Sequence, residues 1–257
     1  MISRLTAITL NTFREAVRDR VLYNLILFVL LLVASAPLFG QISIGMERLI
    51  LVNVGLSSIS LFGVIIAIFL GIGLVSKEIE KKTLYTILSR PVRRWEFILG
   101  KYLGLIMTLV VNTALMTAGF YIALLVTKGL HKTDALLLVA IYFTVLQFLI
   151  VTALTVLFST FSSPIFSAIF AFALFVIGTF AEDLKNFAAI SKGAAKLLAT
   201  AAAYLMPNFA SLNVIAQTAH DQGVGGRLIL FNTLYAMLYS ASAVAAAVLI
   251  FERRNLK

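Results

Sequence analysis

The chain contains no cysteine, which excludes disulfide bonds, thiol nucleophiles and thiolate-bound metals. Charge is also scarce, since Asp, Glu, Lys and Arg make up only 12% of the residues. Six long stretches carry no charged residue at all, at about 21–39, 50–75, 102–127, 135–158, 164–181 and 228–250. A soluble helix of that length would keep a polar face, whereas roughly 20 apolar helical residues cross a hydrocarbon core about 30 Å thick. The sequence therefore predicts an all-α integral membrane protein with six transmembrane helices.

Several chemical functions lack the residues that they need. Ion-coupled carriers usually keep ionisable residues inside the membrane, and the six stretches hold none. No nucleotide-binding pattern G-x-x-x-x-G-K-[ST] occurs, so the chain is not expected to hydrolyse ATP by that route. An intramembrane enzyme is disfavoured because no stretch contains an acid, base or metal-ligand cluster. His131 and His220 have no second ligand at metal spacing. We expect no catalytic residue, no metal and no cofactor in this chain.

The distribution of positive charge predicts the orientation. The chain is 61% hydrophobic with a net charge of +10, which leaves little room for a soluble domain and favours one membrane domain over 1–257. With the N-terminus inside, the inner connections hold twice as many Lys and Arg residues as the outer ones. Both termini are therefore predicted to be cytoplasmic. We interpret the excess positive charge as a topology signal and a contact to anionic lipid headgroups, with no nucleic acid as a partner.

Residues 2–19 predict an amphipathic helix on the membrane surface. The apolar positions recur at spacings of three and four and share one face: Ile2, Leu5, Thr9, Phe13, Ala16 and Val17. Arg14 and Arg18 fall on the opposite face together with Glu15. Two interpretations are open. The helix either only anchors the chain, or it also contacts a cytoplasmic partner through Arg14 and Arg18.

Residues 76–101 form the cytoplasmic connection between the second and third stretches. Residues 77–89 contain neither Gly nor Pro and can form a helix, which Pro91 ends. One face of this helix carries the apolar side chains of Leu84, Ile87 and Leu88. Such a helix suits docking into a groove of another protein, although a solvated loop that only enforces orientation is an equal alternative. Gly100 and Gly104 then permit close helix packing at the start of the third stretch.

This connection also carries a resemblance to a known family. The matching residues are Glu78, Thr83–Leu84, Leu88, Pro91–Val92 and Gly100–Lys101. They resemble the pattern E-x(4)-T-L-x(3)-L-x-x-P-V…G-K of type-2 ABC (ATP-binding-cassette) exporter permeases, and Lys82 stands where many members have Gly. The resemblance implies that 76–101 is a coupling segment, whose helix sits in a cleft of a separate ATPase subunit. The coupling residues that it implies are Glu78, Thr83, Leu84, Ile87, Leu88 and Pro91.

The function implied by this resemblance is that of a permease subunit in the cytoplasmic membrane. It would export a substrate with ATP bound and hydrolysed by a cytoplasmic ABC ATPase subunit. It would also pair with a second copy of itself or a related permease chain. An alternative is an ABC-type membrane subunit that transmits force to an extracytoplasmic process without moving substrate. The large extracytoplasmic domain expected of many such proteins is missing.

The longest connection, 182–227, predicts short helices on the outer side. Ala188–Met206 is rich in Ala and Leu and is closed by Pro207. Its apolar part is too short to span a bilayer, which favours a re-entrant or interfacial helix. Asn208–Ala219 is predicted to form a second short helix, ended by a turn over 220–226. The resemblance implies that such helices cap the outer end of the pathway, while a simple shield of the outer rim is the alternative.

Overall fold

A computed structural model describes residues 2–18, 46–80, 93–127 and 131–253, with isolated positions at Leu27, Phe28, Leu31, Ser35 and Gly129. Within these ranges all regular elements are helical. The α-helices are α1 (Ile2–Ala16), α2 (Glu47–Glu80), α3 (Arg94–Thr127), α4 (Leu137–Ser159), α5 (Pro164–Thr179), α6 (Ala181–Ile190), α7 (Gly193–Leu205), α8 (Ile215–Ala219) and α9 (Gly226–Arg253). Two 3₁₀-helices, Lys132–Leu136 and Ala210–Leu212, precede α4 and α8.

The described part of the chain contains four helices that are long and apolar enough to cross a membrane. They are Glu47–Ile72 within α2, all of α3, Thr133–Ser159 and α9. A fifth span is obtained if α5 and α6 are counted together, although they meet at a bend of 57°. The all-helical, multi-pass prediction is therefore confirmed. The predicted stretch 21–39 lies almost entirely outside the described residues, so the six-helix layout and the cytoplasmic termini remain predictions.

Helix α4 is the centre of the bundle. In its most apolar stretch of 18 residues 61% is buried, against 44% in the corresponding stretches of α2 and α3 and 33% in that of α9. Small residues allow the neighbouring helices to approach it: Gly63 of α2 lies against the ring of Phe148, and a Cβ added at Gly71 would lie 2.7 Å from Thr155 Cγ2. Because α2 and α4 keep this register over both contacts, they run parallel. Close packing over small residues is the usual way in which membrane helices associate.

Helix α1 lies along the first half of α3 and marks one end of the bundle, here called the α1 end. Thr12 and Ala16 are fully buried, whereas Arg14, Glu15 and Arg18 are exposed. The predicted amphipathic helix is thus present over Ile2–Ala16, and it buries Ala16 as its apolar face requires. Thr12 was absent from the predicted apolar face. It is buried because it faces a glycine of α3, where a small side chain fits.

The connection before α9 contains a short apolar helix, as predicted, and a break that the sequence did not predict. The apolar part of the run, Ala194–Met206, corresponds to α7, whereas the wider run Ala188–Met206 is interrupted, because α6 ends at Ile190 and α7 begins at Gly193, which has a φ of +62°. Most side chains are strained in that conformation, so glycine suits the turn. The predicted helix Asn208–Ala219 is likewise split into a 3₁₀ turn and α8. Phe209 anchors this connection, since its N–H donates to Gly178 O at 3.0 Å.

Candidate functional site

The helix that follows the coupling segment is in direct contact with α1. A Cβ added at Gly100 would lie 2.7 Å from Ile8 Cγ2, and one added at Gly104 would lie 2.6 Å from Thr12 Cβ and 2.7 Å from the backbone oxygen of Thr9. No side chain of α3 therefore stands between the helices at these points, and the side chains of Ile8 and Thr12 pack directly on the α3 backbone. The predicted close packing at Gly100 and Gly104 is confirmed, and its partner is α1.

A buried lysine stands between the two glycines. The side chain of Lys101 is only 2% exposed, and its Nζ lies 3.5 Å from Oε2 of Glu15. The ammonium also lies 5.7 Å from the centroid of the Phe97 ring. A buried ammonium is costly without such partners, and the face of an aromatic ring attracts cations. Lys101 thus ties the last turn of α1 to α3.

The first turn of α3 is joined to the end of α9. Arg94 Nη1 donates hydrogen bonds of 2.9 Å to the backbone oxygens of Phe251 and Glu252. The last carbonyls of a helix have no partner within it, and a cation is favourable at this negative end. Phe97 stacks on Phe251 with ring centroids 5.9 Å apart. Together these contacts hold α1, α3 and α9 as one unit at the α1 end.

Glu96 fixes the point where α3 begins. Its Oε2 accepts the backbone N–H of Arg93 at 3.0 Å, and the residue is 2% exposed. A carboxylate at a helix N-terminus satisfies an otherwise unpaired N–H and interacts favourably with the helix dipole. The chain therefore enters α3 from the preceding connection at a defined residue and in a defined direction.

The structure describes only some of the predicted site residues. Glu78 lies in the last turn of α2, and its side chain is outside the description. Arg14 and Arg18 are described and exposed, on the side of α1 that faces away from α3. The remaining coupling candidates lie outside the described residues: Thr83, Leu84, Ile87, Leu88 and Pro91. Their roles therefore stay predictions. The structure does describe the helices on both sides of these residues, α2 and α3.

A second polar cluster joins three helices at the end of the bundle opposite α1. Asp134, just before α4, forms a salt bridge with Arg48 near the start of α2. Its Oδ2 also accepts the backbone N–H of His131 at 2.7 Å, and the hydroxyl of Tyr121 donates to its backbone oxygen at 2.7 Å. His131 takes part through its backbone. No group of three or more potential metal ligands occurs within the described ranges.

A few polar residues within the spans connect one helix to another element. Ser60 Oγ of α2 donates to Gln147 Oε1 of α4 at 3.2 Å, and Asn232 Nδ2 of α9 donates to the backbone oxygen of Ser211 at 3.1 Å. Asn53 instead bonds its own helix through Leu49 O. Gln147 thus joins two spans, whereas Asn232 joins α9 to the connection before α8. In α3, Asn112 Nδ2 is buried and makes no hydrogen bond to any described residue.

These features define a class: a polytopic helical membrane protein in which the short helix α1 is fastened to α3, the span that follows the connection after α2. The family model described as ABC-2 family transporter protein matches residues 6–256. The chain therefore belongs to this family, and the resemblance in the sequence of 76–101 is confirmed. It is an ABC-type permease subunit, and permeases of this family generally work with an ATPase subunit. No curated protein matches the chain.

Proposed function

We propose that the chain exports a substrate across the cytoplasmic membrane, driven by ATP that a separate ATPase subunit binds and hydrolyses. The observation that carries this proposal is the direct contact of α1 with Gly100 and Gly104. Any displacement of the coupling segment reaches α3 first. Because Ile8 and Thr12 of α1 pack directly on the α3 backbone, we expect α1 to move together with α3.

The energy source is external to this chain in the proposal. The six uncharged stretches hold no Asp, Glu, Lys or Arg, and the sequence lacks the phosphate-binding loop that an ATPase needs. Two permease chains, identical or related, would each receive one ATPase at the α1 end. The twofold excess of Lys and Arg supports placing this end in the cytoplasm.

The docking surface on this chain is the apolar face of residues 83–88, as the sequence predicts. Leu84 and Leu88 would enter a cleft of the ATPase, and Glu78 and Pro91 would set the two ends of the docking helix. Arg14 and Arg18 would add a polar contact, because they are exposed on α1 beside the same end. Charged substitutions of the two leucines should abolish docking, since a buried carboxylate without a partner is costly.

Co-purification tests this assignment. The chain is co-expressed with the ABC ATPase encoded nearest to it, and the double variant Leu84→Asp, Leu88→Asp is compared with wild type. We expect loss of the complex and of ATPase stimulation while the variant still inserts into the membrane. A matched control is Leu84→Met, Leu88→Met, which keeps this face apolar at similar volume, so the complex should survive. A complex that withstands the first pair of substitutions contradicts the docking assignment.

Transport direction needs its own measurement. Vesicles that expose the ATPase on their outer surface are incubated with a cytoplasmic extract, and their contents are compared by mass spectrometry with and without ATP. Export predicts that at least one compound accumulates only with ATP and only with a coupled complex. Hydrolysis at the coupled rate without accumulation would instead support force transmission.

A further inference from the structure

A groove lies between helices α6 and α7. Its volume is about 260 Å³, and it is lined by Lys185, Ala188 and Ala189 of α6 and by Lys196, Thr200 and Ala203 of α7. A water molecule takes up roughly 30 Å³ of liquid, so the groove has room for a phosphate with a glycerol unit. The other lining residues are three alanines and one threonine, so the two lysines are the principal polar groups of the groove.

The charges of the groove suit an anion. Lys185 and Lys196 approach it from different helices, and neither forms a salt bridge with any residue in the described ranges. The acidic residues of α6, Glu182 and Asp183, lie in its first turn and do not line the groove. The hydroxyl of Thr200 adds a hydrogen-bond donor on the same wall. Two lysines that line one groove from different helices favour a bound anion such as a phosphate.

The surroundings of the groove indicate that the anion belongs to a lipid. Large apolar side chains on the same two helices are exposed by 52–80%: Phe187, Ile190, Leu197 and Leu198. Exposed apolar groups beside lysines are typical of helices that lie at a membrane interface, with the basic groups at headgroup level. A phosphate bound by Lys185 and Lys196 would then have its acyl chains next to these side chains.

We propose that the groove between α6 and α7 binds the headgroup of an anionic phospholipid. Lys185 and Lys196 hold the phosphate, Thr200 donates to it, and the alanine walls accept the glycerol. The lipid holds the α6–α7 pair at the membrane surface. This site does not depend on whether the chain transports a substrate, so its test stands apart from the test of docking and export.

The test uses the full-length chain in an uncharged detergent and titrates it with dioctanoyl phosphatidylglycerol by native mass spectrometry. Dioctanoyl phosphatidylcholine tests for charge selectivity, and glycerol 3-phosphate tests for binding of a free phosphate. The double variant Lys185→Gln, Lys196→Gln removes the two cations. Lys192→Gln is the matched control, because Lys192 is exposed on the same connection and does not line the groove.

We expect wild type to prefer phosphatidylglycerol and the double variant to bind it at least about tenfold more weakly, since each basic residue near an anionic lipid contributes a factor of roughly five. Lys192→Gln should change binding less than about twofold. Equal binding of the two lipids, tighter binding of glycerol 3-phosphate, or an equal loss in Lys192→Gln would each overturn the proposal. If the double variant does not fold, Ala189→Phe decides, because it fills the groove without changing charge; unchanged lipid binding in that variant would also overturn it.

Discussion

The ammonium of Lys101 lies 3.5 Å from Oε2 of Glu15, and the lysine side chain is almost completely buried while the glutamate is 43% exposed. The side chain of Lys101 is thus shielded from water, whereas that of Glu15 remains partly solvated. The lysine depends on this contact and on its neighbours at the start of α3, whereas the carboxylate can also be solvated. The pair connects the two helices whose contact we propose transmits ATPase movement.

The first prediction concerns this pair. Glu15→Gln should lower the free energy of unfolding by about 1 kcal/mol, less than for a fully buried pair because solvent screens the exposed carboxylate. For a chain of this size the apparent Tm in detergent should fall by about 2–4 °C. Arg14→Gln, one residue earlier and pointing away from α3, is the control. Equal losses in both variants would show that the pair has no specific role.

The second prediction concerns the contact of α1 with α3. Gly104→Ala should destabilise the protein by about 1–3 kcal/mol, because the added Cβ would overlap Thr12 and the backbone of Thr9. ATPase stimulation should fall together with thermal stability. Gly225→Ala is the matched control, since nothing lies within 4 Å of a Cβ added there. A Gly104→Ala protein as stable and as active as this control would disprove direct contact of the two helices.

The third prediction concerns the end of the bundle opposite α1. Asp134 is 5% exposed and Arg48 is 26% exposed, so their interaction is shielded from solvent more than a surface pair. A double-mutant cycle with Asp134→Asn and Arg48→Gln should give a coupling energy of about 1–2 kcal/mol by thermal unfolding. The same cycle with Glu182→Gln in place of Asp134→Asn should give a value near zero. Additive effects of Asp134→Asn and Arg48→Gln would contradict a functional salt bridge.

The fourth prediction concerns orientation, and the absence of cysteine makes it simple to test. Single variants Arg18→Cys and His220→Cys place one thiol at each end of the bundle, at exposed positions. In intact cells a membrane-impermeant maleimide should label His220→Cys and not Arg18→Cys. In inverted membrane vesicles the pattern should reverse. The opposite labelling would place the coupling segment outside and end the docking hypothesis.

Much of the fold follows from local sequence patterns. Uncharged stretches of 20 or more residues predicted α2, α3, α4 and α9, because the length of an apolar helix is set by the membrane itself. Gly100 and Gly104 predicted a close helix contact for a similarly local reason. The sequence did not identify α1 as the partner, since periodicity describes a face and not what covers it.

Other features depend on residues that are distant in sequence. Glu15 was assigned to the polar face of α1, and only the folded chain brings it to Lys101. The break between α6 and α7 was missed because the run of Ala and Leu residues continues on both sides of Lys192 and Gly193. A glycine that follows a Ser-Lys pair within such a run was the available signal. No sequence signal predicted the Asp134 cluster, because its members come from three different helices.

The contact between Arg94 and the last turn of α9 also bears on how the protein is made. Arg94 and Phe251 are 157 positions apart, so the ribosome must add that many residues after Arg94 before their hydrogen bond can form. Until then the beginning of α3 lacks its contact with the last turn of α9. Assembly of this corner is consequently a late event in biosynthesis, and nascent chains that stop before the final helix should be targets for membrane quality-control proteases.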